Sequence, residues 1–205
     1  NIPDLPIIGN IEEEEVKKSE LFNFDKKVYE KVSDLNSLNK WIQEIYDVGH
    51  VAIDTETTSL NEMRAELVGI SLCVKPGHAC YIPISHKENN DDLFGVQTLI
   101  PNQLSIETLI TVLGPVFEDE SILKIGQNIK YDLKILILAG FKVSAIDDTM
   151  LLSYVLNAGL HNHSMDSLCE RYLSHKPIPI KELIGVGAGV VTFDKVSIPE
   201  ATLYA

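Results

Sequence analysis

Three short runs of strand-forming residues fall between residues 50 and 84, and the link joining the last two fixes how they can pair. The runs are "HVAIDT" at 50–55, "LVGISLCV" at 67–74 and "HACYIPI" at 78–84. Lys75, Pro76 and Gly77 leave room for a turn and nothing more, so the second and third runs must form an antiparallel hairpin. After the hairpin the pattern changes period. "SIETLITVLGPVFED" (105–119) predicts a helix opened by Ser105, and "SILKIG" a fourth strand. "NIKYDLKILILAG" predicts a helix closed by Gly140, and "VSAIDD" a fifth strand. Further helices are expected over 149–157 and 165–173. Upstream, "SDLNSLNKWIQEIYD" sets Leu35, Leu38, Trp41, Ile42 and Ile45 at helical spacing behind Ser33 or Asp34 as N-cap. Residues 174–192, rich in Pro and Gly, read as a long loop. "SIPEATLYA" then starts a last helix with Ser197 as cap and Pro199 in its first turn. Antiparallel strands followed by alternating helix and strand imply a mixed, five-stranded α/β sheet with helices on both faces.

The first strand runs into two carboxylates. In "HVAIDTETTSL" Asp54 and Glu56 are two residues apart, so on a strand they share a face while Thr55 points away. Two like charges beside Val51, Ala52 and Ile53 need a shared proton, a basic side chain or a metal ion between them. A third carboxylate, Asp132 in "GQNIKYDLKIL", shares a helix face with Asn128 and Tyr131 at i, i+3, i+4 spacing. It precedes the apolar run Leu133, Ile135, Leu136, Ile137 and Leu138, so it is expected to be partly buried, with Lys130 and Lys134 pointing to solvent. A buried carboxylate is costly unless paired. An all-oxygen donor set with no Cys or His at ligand spacing suits a hard cation such as Mg²⁺. Two such ions about 3.5–4 Å apart are the usual means of cleaving a phosphodiester.

Composition limits the setting. The chain has 205 residues, enough for one domain, and is 45% hydrophobic and 23% charged, as ordinary globular proteins are. No apolar run is long enough to span a bilayer and no signal peptide opens the chain. Cys73, Cys80 and Cys169 are odd in number without CxxC spacing, which fits reduced thiols in a cytoplasmic protein. Residues 1–30, with Pro3, Pro6, Gly9 and an acidic run at 12–15, read as a linker and lead-in, and 31–205 as the folded domain. The chain lacks an initiator Met and stops within its last helix, so a longer natural chain is expected. The net charge of −13 argues against a stand-alone nucleic-acid binder, because phosphate contacts rest on Lys and Arg. Cations or a partner domain would have to supply the grip.

"AIDTETTSL", "KIGQNIKYDLKIL", "DDTMLLSYVLN" and "HSMDSLCERYL" together resemble the proofreading 3′–5′ exonuclease domain of bacterial DNA polymerase I. That domain belongs to the DEDD exonucleases, in the subclass with a tyrosine in its third motif. The resemblance covers roughly residues 30 to 205. It implies a ribonuclease H-like fold, a cytoplasmic bacterial enzyme and two divalent ions, Mg²⁺ with Mn²⁺ or Zn²⁺ as substitutes. It also implies a single-stranded DNA 3′ end as substrate, a polymerase domain on the same chain, no membrane and a monomer. On the matching positions, Asp54, Glu56 and Asp132 become metal-binding and catalytic, and Tyr204 the catalytic tyrosine. Thr57, Leu60, Gln127, Asn128, Tyr131 and Met150 become neighbours of the terminal nucleotide. The third motif is Tyr-x-x-x-Asp, so its aspartate falls beyond Ala205 and this chain carries the motif incompletely.

"HNHSMD" offers a decoy, since His161 and Asp166 match the third-motif pattern of the sister subclass that uses histidine. Asp166 reads instead as a capping and helix-dipole residue, and His161 and His163 as loop residues. Three competing functions remain. They are a silent exonuclease-fold scaffold, a stand-alone RNA-trimming exonuclease, and an aspartyl phosphotransferase of D-x-D-x-T type. The last needs a second Asp where "DTETT" has Glu56.

Overall fold

A computed structural model of the chain describes residues 29–88 and 97–205. Most of the expected 1–30 linker lies outside the described residues. Among the described residues six strands form one sheet in the order β1-β4-β3-β2-β5-β6. They are β1 (Glu30–Lys31), β2 (His50–Thr57), β3 (Leu67–Lys75), β4 (His78–Pro83), β5 (Leu123–Gly126) and β6 (Ile146–Asp148). β3 runs antiparallel to both β2 and β4, whereas β5 joins β2, and β6 joins β5, in parallel. The expected hairpin and the mixed sheet are both present. The count of five strands is corrected to six. β1 has two residues, too few to show a period, and pairs in parallel with the edge of β4.

Among the described residues eight α-helices accompany this sheet. α1 (Leu35–Val48) begins at Asp34, whose carboxylate accepts from the amides of Asn36 and Ser37, and stops at Gly49 in the left-handed conformation. Its apolar stripe buries Leu38, Trp41 and Ile45. The single helix expected over 105–119 is two, α2 (Ile106–Val112) and α3 (Gly114–Glu118). Gly114 and Pro115 explain the break, because proline cannot donate to the preceding turn. α4 (Lys130–Ala139) and α5 (Thr149–Leu156) follow β5 and β6. α6 (Met165–Leu168) is capped by Ser164, not by Asp166 as expected, and widens into a π-helical turn over Cys169–Leu173. The stretch 174–192, expected as loop, contains α7 (Ile180–Ile184). α8 (Ile198–Tyr204) opens on Ser197 as anticipated.

Two apolar clusters cover the two faces. The larger joins Ile53, Leu72 and Ile82 of the sheet to Trp41, Leu109, Phe117 and Leu136 of the helices. The smaller holds Tyr81, Phe193, Val196 and Ala201, with Tyr204 against it. Tyr81 belongs there because it faces the opposite way from its strand neighbours Cys80 and Ile82. Among the described residues no helix is long and apolar enough to cross a membrane.

Candidate active site

Strand alternation fixes the first two carboxylates. Asp54 lies opposite Ser71, and Ser71 opposite Tyr81, so these three side chains share the face covered by α8. Glu56 follows on the same face opposite Gly69. Between Glu56 and Thr57 the register slips, the mark of a bulge, and the pairing closes at Thr57 opposite Leu67. Thr55 points to the other side and there meets Asp132. Its amide and its hydroxyl both donate to Asp132 Oδ1, at 2.9 and 2.6 Å. Asp132 belongs to the buried stripe of α4 with Ile135 and Leu136, so the same i, i+3, i+4 spacing that packs the helix carries the carboxylate to the sheet. It is more deeply buried than expected, at 3% exposure. Lys130 is exposed, and Lys134 reaches Glu62 at 2.5 Å rather than Asp132.

The electrostatics follow from this crowding. Burial, then the charge of Asp132, pushes the Asp54 carboxyl up to about 7. Burial, then Asp54 and Asp132, pushes Glu56 up to about 8. Burial also raises Asp132, and the two bonds from Thr55 oppose it. Among the described residues no Lys or Arg contributes to any of these shifts. Tyr204 stands near enough that burial, followed by the charges of Glu56 and Asp54, raises its phenol. α8 therefore brings the predicted tyrosine to the predicted carboxylates. Among the described residues no three His, Cys, Asp or Glu side chains close into a complete metal cage. The donors nonetheless fit Mg²⁺, which takes one or two carboxylates and fills its shell with water and phosphate oxygens.

The residues expected around a terminal nucleotide divide. Thr57 and Tyr131 meet at 2.6 Å through their hydroxyls, and Tyr131 also donates to Ser59 O at 2.5 Å. These bonds hold the loop that displays Leu60, which is 92% exposed and so not core. Asn128 is not on the helix as expected. It lies in the turn before α4 at φ +57°, a conformation Asn tolerates better than most residues. Gln127 lines a cleft of about 240 Å³ beside Asp54. Its amide is engaged, accepting from Thr149 Oγ1 at 2.6 Å and donating to His163 O at 2.8 Å. Met150 is the second residue of α5 and does not line that cleft. His163 bonds Ser153, and the His161 ring packs at a tilt against His163, so the histidines of the decoy form a separate cluster. Asp166, however, contributes to the field at Tyr204.

Three working residues were not anticipated. Thr55 anchors Asp132. Asp148 accepts from the amides of Asn128 and Ile129, at 3.0 and 3.1 Å, and from those of Met150 and Leu151, tying the turn before α4 to the start of α5. Ser71, opposite Asp54, lines the cleft with a buried hydroxyl that has no hydrogen-bond partner among the described residues. The doubled Asp147–Asp148 was a usable signal for the clamp. Nothing local marks Thr55 or Ser71.

A family model described as 3′–5′ exonuclease matches residues 29–205. The chain belongs to this 3′–5′ exonuclease family. It is 44% identical over 191 residues to DNA polymerase I of Rhizobium leguminosarum, covering 89% of this chain and 19% of the relative. It is 36% identical over 180 residues to DNA polymerase I of Pseudomonas aeruginosa, covering 86% and 19%. The chain thus spans about a fifth of the length of these curated relatives. Among solved structures, Escherichia coli RNase D superposes with a TM-score of 0.55 at 17% identity, over 77% of this chain and 36% of that one. Brucella melitensis NrnC with bound Mg²⁺ gives 0.54 at 22%, over 86% and 70%. These two likenesses establish the ribonuclease H-like exonuclease fold.

Proposed function

We propose that this chain is the proofreading 3′–5′ exonuclease domain of a DNA polymerase I, removing nucleotides from single-stranded or frayed 3′ ends beside a polymerase domain on the same chain. The observation that carries the reading is the meeting of Asp54, Glu56 and Asp132 around the C-terminal end of the central strand β2, with no cation among the described residues contributing to their raised pKa values. Asp54 and Glu56 would hold divalent cations, and Asp132, fixed by Thr55, supports them from the other side of the strand. Bound there, a pair of such ions supplies an activated water and stabilisation of the leaving oxygen. Water adds to the terminal phosphorus and the P–O3′ bond breaks, releasing a nucleoside 5′-monophosphate and a new 3′ hydroxyl. Tyr204 orients the water, Leu60 packs on the terminal base, and Tyr131, Thr57 and Asn128 border the last sugar and phosphate. Stacking and backbone contacts read no base edges, so selectivity among sequences is weak. The curated relatives are DNA polymerases, which supports DNA over RNA as substrate.

The test uses a 5′-labelled single-stranded DNA with Mg²⁺, or with chelator, given to this chain and to the chain extended through the expected third-motif aspartate. A ladder shortening from the 3′ end, absent with chelator and absent in Asp54→Asn, is the expected result. A folded, extended chain that leaves the strand intact would establish the scaffold reading instead.

A further inference from the structure

The buried ring of His86 joins the sheet to the segment that carries Tyr204. It is fully buried, and both ring nitrogens are used. Nδ1 lies 2.9 Å from Val196 O, which can only accept, so Nδ1 carries the proton. Nε2 therefore accepts, and Tyr81 donates its hydroxyl to it at 2.7 Å. Burial lowers the pKa of the ring, consistent with this neutral form. The backbone of His86 is fixed as well. Its amide donates to Gln103 Oε1 at 2.8 Å, and its carbonyl accepts from Gln103 Nε2 at 2.9 Å. The next residue repeats the attachment, with Lys87 N on Asp194 O at 2.8 Å and Lys87 Nζ on the Asp194 carboxylate at 3.1 Å.

Val196 immediately precedes Ser197, the cap of α8, and Tyr204 is the last residue of that helix. Seven residues of helix measure about 10 Å. A swing of about 10° at Val196 would therefore carry Tyr204 roughly 2 Å. Misplacements of about 1 Å can cost about 100-fold in rate. Tyr81, at the other end of the linkage, lies across Gly69, the strand partner of Glu56, and feels the Glu56 charge. One imidazole thus spans the strand side and the helix side of the carboxylate site. We propose that His86 is a positioning residue for the exonuclease site: its hydrogen bond to Val196 sets the direction of α8, and so the place of Tyr204 over Asp54 and Glu56. This rests on the reading that Tyr204 serves catalysis, but the latch itself is observable without cleavage.

The experiment compares wild type, His86→Leu and His86→Asn. Asn can keep a donor at the Nδ1 position, whereas Leu keeps none. Two readouts are taken: amide hydrogen exchange across 197–204, and kcat and KM on a single-stranded oligonucleotide with Mg²⁺. In His86→Leu, exchange is expected to accelerate at least 10-fold in 197–204 while α1 stays protected. kcat should fall about 100-fold with KM within threefold. His86→Asn should recover protection and most of kcat. Unchanged exchange in 197–204, a uniform loss of protection including α1, or an Asn variant no better than Leu would each overturn the proposal. The kinetics use the chain extended through the third-motif aspartate; if that wild type proves inactive, the functional reading fails, and exchange alone still decides whether His86 holds α8.

Discussion

Asp54 and Glu56 gain their character from where β2 places them, and this makes stability depend on pH in a definite direction. Both folded-state pKa values are raised, to about 7 and about 8, so the folded protein binds protons more tightly than the unfolded chain. Stability from these groups is complete below their ordinary values near 4 and is lost as pH rises through 7 and 8. Without divalent ions, the melting temperature should be lower at pH 8.5 than at pH 6. Millimolar Mg²⁺ should recover it at pH 8.5 and do little at pH 6, and Glu56→Gln should flatten the metal-free profile. Calorimetry at the two pH values decides, and a metal-free protein more stable at pH 8.5 would contradict the picture. Thr55 allows a second prediction. Hydrogen bonds to charged groups contribute about 1.5–3 kcal/mol, so Thr55→Val should cost about 2 kcal/mol by urea unfolding, and Thr55→Ser should regain most of it. A neutral Thr55→Val would show that the backbone amide alone holds Asp132.

The elements explain which parts of this arrangement were legible in the sequence. Asp54 and Glu56 announce themselves because strand alternation is local, and Asp132 because an Asp beginning an apolar helical run is conspicuous. Thr55 and His86 do not, since Asp132 and Val196, the groups they fix, lie 77 and 110 residues away. The break at Gly114–Pro115 and the two-residue β1 were missed for another reason: apolar periodicity continues across a one-residue interruption, and a two-residue strand has no periodicity. Gly69 shows how a strand can be specified by what crosses it. A Cβ there would stand 2.1 Å from the Tyr81 hydroxyl and 2.3 Å from the ring carbon that bears it. Tyr81 is fully buried and held by His86, so the ring cannot move aside cheaply. Gly69→Ala should therefore cost about 1–3 kcal/mol through overpacking. At 2–4 °C per kcal/mol for a chain of this size, the melting temperature should drop by about 2–12 °C. Gly189→Ala is the control, because nothing lies within 4 Å of a Cβ there. Equal melting temperatures for the two variants would mean that β3 has slack under Tyr81.

At the scale of the whole molecule, the charge of −13 opposes the approach of a polyanion that the site must nonetheless receive. The two effects separate by range. The carboxylate site, once it holds divalent cations, attracts phosphate over a few ångströms, where little screening acts. The net charge repels over the Debye length, about 30 Å at 0.01 M salt and about 10 Å at 0.1 M. Monovalent salt therefore removes more repulsion than attraction. For basic nucleic-acid binders, affinity falls steeply with salt because neutralised phosphates release counterions. Here the sign should reverse. At fixed free Mg²⁺, kcat/KM for a single-stranded oligonucleotide should rise as KCl goes from 10 to about 100 mM, chiefly through the association rate. Initial rates at low substrate concentration measure this directly. A steep fall over the same range would instead reveal a basic track strong enough to outweigh the net charge. The exposed cations near the site in sequence, Arg64, Lys130 and Lys134, would then be the first to replace.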